Sequence, residues 1–135
     1  MKLKIKKSDY NLIVNTAVEN YPFECCGILA GKNNIVEKFY KMKNVSDKPE
    51  ICYFMDPKEQ INVMKEIRIS DMELLAIYHS HINVKAYPSK RDIELAFYPD
   101  AFYIIVSVFD KKFQEMNIFK IINGEILDAE FEILE

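Results

Sequence analysis

The sequence predicts an α/β domain of the α+β type, with helices flanking a mixed, largely antiparallel sheet. Three observations predict it. Strand-like segments outnumber helical ones, neighbouring strands are often separated by only a turn, and Asn123-Gly124 between two apolar runs is a strong hairpin signal. With 135 residues the chain can build one hydrophobic core and is too short for two, so a single domain over residues 1–135 is expected.

Taken in order, Leu3 and Ile5 alternate with lysines, which suggests a short edge strand guarded by charge. Ser8 is placed to cap a helix running to Asn20, with Leu12, Ile13, Thr16 and Ala17 on its buried side and Pro22 as its stop. Cys25–Ala30 reads as a buried strand, Lys32-Asn33-Asn34 as a turn, and Ile35–Met42 as the returning strand. Lys43–Glu50 is polar, contains Pro49, and is expected to be a mobile surface loop. Ile51–Met55 reads as a further strand. Asp56-Pro57-Lys58-Glu59 then supplies an N-cap, a proline at the first helical position and a glutamate at the third, and Ile61, Met64 and Ile67 form that helix's apolar stripe. Leu74–Tyr78 is continuously apolar, as a central strand buried on both faces should be. A helix is expected over Lys90–Tyr98, ended by Pro99, and strands over Ala101–Phe109, Phe113–Ile122 and Glu125–Leu134.

Composition removes several functional classes. Half the residues are hydrophobic and 29% are charged, which excludes a disordered or fibrous chain. A net charge of −3 offers no basic field for nucleic acid. With only three glycines, neither a dinucleotide fingerprint nor a P-loop can be written. Two of the three cysteines, Cys25 and Cys26, are adjacent, a poor arrangement for a disulfide and for an oxidised secreted scaffold. The N-terminus lacks the apolar core of a signal peptide and no apolar run is long enough to span a bilayer, so a cytoplasmic protein without a membrane partner is expected.

Both histidines of the chain lie in His79-Ser80-His81, at the end of the predicted central strand. A strand repeats its side-chain direction every second residue, so the two imidazoles face the same way and can converge on one ion. The plainer reading is a pair of surface or pH-sensitive histidines. Ser89 and Asp92 follow in Pro88-Ser89-Lys90-Arg91-Asp92, which has the form of a helix capping box. The aspartate of such a box can also project toward a cation held at the preceding strand end. Two neutral imidazoles and one carboxylate are a common ligand set for catalytic zinc, leaving a fourth position open. Glu24 is the candidate base: if Cys25–Ala30 runs antiparallel beside Leu74–His81, its start lies near both histidines. An ordinary exposed glutamate after a helix stop is the competing interpretation. Ser89 could donate a hydrogen bond to a developing oxyanion as well as cap its helix.

The pattern Glu24…His79-Ser80-His81, seven residues, Ser89, two residues, Asp92 resembles the signature of the JAMM (MPN-plus) metallopeptidases. The segments Pro22–Gly31, Tyr53–Pro57 and Asp92–Ser107 resemble the flanking strands and junctions of the same family. The resemblance implies a cytidine-deaminase-like fold and one Zn²⁺ per chain held by His79, His81 and Asp92. It implies Glu24 as the general base activating the zinc-bound water and Ser89 as support for the tetrahedral intermediate. The implied substrate is a peptide or isopeptide bond at the C-terminal tail of a ubiquitin-like or sulfur-carrier protein, as in the compact prokaryotic members. Many relatives place proline after the second histidine, where Ile82 stands here, a departure that bears on substrate fit.

Other readings stay open at this point. A non-catalytic MPN-type scaffold would lack part of the ligand set, which is complete here. A cysteine hydrolase could pair Cys25, Cys26 or Cys52 with a histidine. A zinc deaminase would need a C-x-x-C pair that the chain does not contain. Exposed edges and a high aromatic content are compatible with a homodimer. An extended Gly-containing tail can add as a strand beside the sheet, with Lys43–Glu50 and Ile82–Tyr87 as the loops shaping its groove.

Overall fold

A computed structural model describes residues 1–135. In chain order the elements are β1 (Lys2–Lys6), α1 (Lys7–Asn20), β2 (Cys26–Lys32), β3 (Ile35–Met42), α2 (Pro57–Ile69), β4 (Glu73–Ile82), α3 (Lys90–Glu94), β5 (Phe102–Phe109), β6 (Lys112–Ile122), β7 (Glu125–Asp128) and β8 (Glu130–Leu134). They build one eight-stranded sheet of order β7-β6-β5-β4-β2-β3-β1-β8. The β2–β3, β2–β4, β5–β6 and β6–β7 pairs are antiparallel; β4–β5, β1–β3 and β1–β8 are parallel. The sheet is mixed and mostly antiparallel, as the sequence predicts.

Only Ala129 separates β7 from β8, yet these strands pair at opposite ends of the sheet order. The sheet must therefore curl until its two margins approach. The Ala129 N–H donates to the Ile118 carbonyl on one margin, and the Glu130 N–H to the Met1 carbonyl on the other. Each face carries its own core. Ile13 and Ala17 of α1 pack over Leu3, Ile5, Tyr78, Ile104 and Val106, and Ile67 of α2 closes the opposite face over Cys26, Ile28, Ile77 and Tyr103. β4 lies between, with Leu75–His81 buried throughout. No helix is long and apolar enough to cross a membrane.

Five elements differ from the sequence reading, each for a physical reason. β1 is not an edge: it pairs on both sides, and its alternation reports one buried face (Leu3, Ile5) and one solvated lysine face. Helix α1 begins at Lys7, because β1 carries the chain in register up to Lys6. Ser8 is thus a helical residue rather than the cap, and Leu12 is exposed. Ile51–Met55 forms no strand beyond a single bridge from Met55 to Asn44, because the Asn44 side chain takes the Cys52 carbonyl and the Phe54 N–H that a ladder would have used. Helix α3 stops at Glu94, short of the expected Tyr98. The residue before Pro99 is disfavoured in a helix, and the Tyr98 N–H bonds the Tyr103 hydroxyl instead. Finally, Glu125–Leu134 is two strands. The Asn123-Gly124 turn closes the β6–β7 hairpin as expected, with both residues at positive φ.

Candidate metal and catalytic centre

β4 delivers both histidines to one face of the sheet, together with Ile77. Between them Ser80 points to the opposite face, where its hydroxyl accepts the Cys25 N–H at 2.8 Å while its own N–H donates to the Cys25 carbonyl at 3.0 Å. These two bonds lock the start of β2 against the end of β4. The register places Cys26 beside His79, so Glu24, two residues before Cys26, falls on the same face as His81, two residues after His79. The antiparallel arrangement that the Glu24 expectation required is present. Glu24 is 5% exposed and not the solvated glutamate of the competing interpretation.

Asp92 comes to the same point from α3. The capping box forms in full: the Asp92 N–H donates to Ser89 Oγ at 3.1 Å, and the Ser89 N–H to Asp92 Oδ2 at 2.9 Å. The same carboxylate meets the imidazoles, with His81 Nε2 3.0 Å from Oδ2 and His79 Nε2 3.2 Å from Oδ1. Capping and contact with both imidazoles therefore coexist in one side chain. Ser89 is exposed and its hydroxyl hydrogen is engaged by no protein acceptor, so it is free to donate outward.

Residues around the pair orient it. His81 Nδ1 lies 2.8 Å from the Lys85 carbonyl, which selects the Nδ1–H donor and directs Nε2 toward Asp92. Tyr53 stacks on His79 with ring centroids 4.5 Å apart. The Ile82–Tyr87 loop is held from behind, by Asn117 donating to the Ala86 carbonyl and by Tyr87 against Phe119. Tyr53 and the Lys85 carbonyl were not read from the sequence. Tyr53 was visible there only as part of the junction before Pro57, and a backbone carbonyl leaves no signal at all.

Electrostatics divides the site into distinct protonation states. Burial lowers His79, against the pull of Asp92, so its imidazole stays neutral. Burial also opposes charge on His81, but its bonds to Asp92 and the Lys85 carbonyl outweigh this and raise it. Burial works against ionised Asp92, yet His79 and His81 together with the Ser89 amide hold it well below the usual carboxylate range. Glu24 is pushed up to about 8 by burial, with His81 pulling it down and Asp92 adding to the rise.

The donor set fits a metal ion. One ligand atom from each of His79, His81 and Asp92 lies within 4.8 Å of the others, and all three residues are buried. Buried His79 has no partner at Nδ1, and its Nε2, although 3.2 Å from Asp92 Oδ1, makes no well-directed hydrogen bond, a cost that a ligated cation would remove. No cysteine hydrogen-bonds a histidine. Cys25 is buried and its thiol is pushed up to about 11, Cys26 is pushed up further by burial, and Cys52 points to Ser46 and the Lys48 carbonyl. A thiolate nucleophile has no support in this arrangement.

Comparison with known proteins agrees with the geometry. Residues 6–122 match the family of prokaryotic homologs of the JAB domain. The chain is 33% identical over 135 residues to the CysO-cysteine peptidase of Mycobacterium tuberculosis, covering 98% of this chain and 92% of that protein. It is 33% identical over 88 residues to a desampylase of Haloferax volcanii, covering 64% and 63%. A solution structure of a protein from Desulfitobacterium hafniense superposes with a TM-score of 0.85 at 29% identity, over 100% of this chain and 94% of that one. With a family match over most of its length and a full-length peptidase relative, this chain belongs to the prokaryotic JAB-domain family of JAMM-type metallopeptidases and is a hydrolase.

Proposed function

We propose that the protein is a zinc-dependent peptidase that cleaves a peptide or isopeptide bond at the C-terminal tail of a ubiquitin-like or sulfur-carrier protein. The observation that carries this reading is the convergence of His79, His81 and Asp92 on one point, with buried Glu24 on the same face of the sheet. His79, His81 and Asp92 would hold the ion. When bound, zinc would act as a Lewis acid and make water nucleophilic near neutral pH.

The remaining steps belong to the chain's own groups. Glu24, which burial pushes up to about 8 without a cation beside it, takes in its ionised form the proton of the attacking water and returns it to the leaving amine. Ser89 Oγ–H donates to the oxyanion that develops on the scissile carbonyl. Asp92 stays ionised and neutral His79 presents a free lone pair, the states that ligation requires. A protein-sized substrate is supported by the rim. Phe23, Val45, Ile51, Phe54, Val84 and Phe97 are all exposed on segments bordering the site, an apolar fringe suited to a folded carrier. The names of the two relatives support the same class of substrate.

The test is cleavage of a Gly-terminated carrier bearing one C-terminal cysteine, beside an isopeptide conjugate of that carrier on lysine, followed by mass spectrometry. The zinc-loaded protein should release the carrier ending in its own glycine, and a chelator should stop it. Full activity in Glu24→Gln with metal bound, or no cleavage of either conjugate, would overturn the proposal.

A further inference from the structure

The β2–β4 ladder does not reach Glu24. At Cys25 the backbone pattern is half complete: the Ser80 N–H still donates to the Cys25 carbonyl, but the Cys25 N–H goes to the Ser80 hydroxyl and not to a strand carbonyl. The Glu24 peptide is instead held by the segment between β3 and α2. Its N–H donates to the Pro49 carbonyl at 2.7 Å, and its carbonyl accepts from Asn44 Nδ2 at 3.0 Å.

Asn44 uses its whole hydrogen-bonding capacity. Nδ2 also donates to the Cys52 carbonyl at 3.2 Å, while Oδ1 accepts the Ser46 and Phe54 N–H groups at 3.0 Å each. Two donors and two lone pairs are matched by four backbone groups from three places in the chain. The segment expected to be a mobile loop is thereby folded over the residue before the sheet. A buried carboxyl at a strand start can be misdirected by a small backbone rotation, and Asn44 is the side chain that bonds the Glu24 carbonyl, in the peptide whose N–H is held by Ser80 Oγ.

We propose that Asn44 is a positioning residue for catalysis, clamping the Glu24 peptide so that its carboxylate stays directed at the His79–His81–Asp92 site. This rests on Glu24 being the base. Asn44 hydrogen-bonds none of the metal ligands, and all four of its side-chain bonds go to backbone groups, so it acts on the site through the Glu24 carbonyl. A displacement of about 1 Å in a catalytic group is enough to cost on the order of 100-fold in rate.

The test uses Asn44→Asp and Asn44→Ala in the zinc-loaded protein. Asn44→Asp is the sharper variant: it keeps the acceptor for Ser46 and Phe54 but removes the Nδ2 donor to the Glu24 and Cys52 carbonyls. Expected are a 10- to 100-fold lower kcat (order of magnitude), unchanged KM, unchanged zinc content, and faster amide exchange at Glu24. In a Glu24→Gln background the same substitution should add less than about twofold, because residues acting as one unit are not additive. An equal loss in both backgrounds, or Glu24 amide exchange unchanged from wild type, overturns the inference. The exchange arm needs no substrate, so a wild-type protein that cleaves neither conjugate would refute the hydrolase reading while the clamp is still decided.

Discussion

Asp92 shows how one carboxylate can satisfy a helix and face an ion at once: Oδ2 accepts the Ser89 amide while both oxygens lie within 3.2 Å of the imidazoles. Local spacing made both duties legible, because the capping box and the histidine pair are written in contiguous sequence. Glu24 was legible only through a pairing assumption, which the register of β2 on β4 satisfies. Asn44 was not legible, since its four partners are scattered in the chain and an asparagine in a polar loop carries no distinguishing pattern. Replacing Glu24 with glutamine should lower kcat by about 10²–10⁴-fold with zinc retained, read by steady-state cleavage and metal analysis. In the metal-free protein Glu24 titrates near 8 folded against 4.5 ordinarily. The folded state thus holds an extra proton between these values, and its contribution to stability is complete below the lower and lost as pH rises through the higher. Melting scans of metal-free wild type should therefore fall relative to Glu24→Gln from about pH 5 to pH 8. Ser89→Ala should cost about 10²-fold in rate and, separately, about 1 kcal/mol of stability through the lost cap.

At the scale of elements, strand identity was easier to read than strand partners. The lysine alternation of β1 announces one buried face, but one of its two neighbours, β8, comes from the far end of the chain. The register sets Lys2 against Glu130 and Lys4 against Glu132, so opposite charges line the solvated side of the β1–β8 pair. That complementarity is present in the sequence, yet it becomes informative only once the two segments are known to meet. Ile51–Met55 fails in the other direction: strand-like residues are left without a ladder because an asparagine side chain serves their backbone. Close approach inside the β2 hairpin is the element's most testable feature. A Cβ at Gly31 would stand 1.9 Å from the Ile35 carbonyl oxygen, at the irregularity between Ala30 and Gly31, and one at Gly27 would stand 2.1 Å from the Tyr78 ring. Both Gly→Ala variants should destabilise the fold, Gly27→Ala by about 1–3 kcal/mol of overpacking. Gly31→Ala should cost more, because a backbone carbonyl has less freedom to move aside than a ring. Chemical denaturation of the two variants measures the order directly.

For the whole molecule, the curled sheet brings the two ends of the chain together as β1 and β8, while the site is built at the end of central β4 by segments that hydrogen bonds tie to one another. The overall class was legible because alternation and turn chemistry are local; the curl was not, because it depends on a one-residue break at Ala129 that separates two distant pairings. An ion held by three buried side chains would couple the site to global stability. Chelation should lower Tm without removing secondary structure, by an amount that grows with free zinc over its dissociation constant, and circular dichroism with and without added zinc would show it. Metal stoichiometry is the most direct measurement of the site, made on purified wild type and on Asp92→Asn, whose amide oxygen can still accept the Ser89 N–H. The proposed site predicts one zinc per chain in the wild type and a large loss of zinc in the variant with the fold retained. A wild type that binds no zinc, or an Asp92→Asn protein that binds as much, would contradict it.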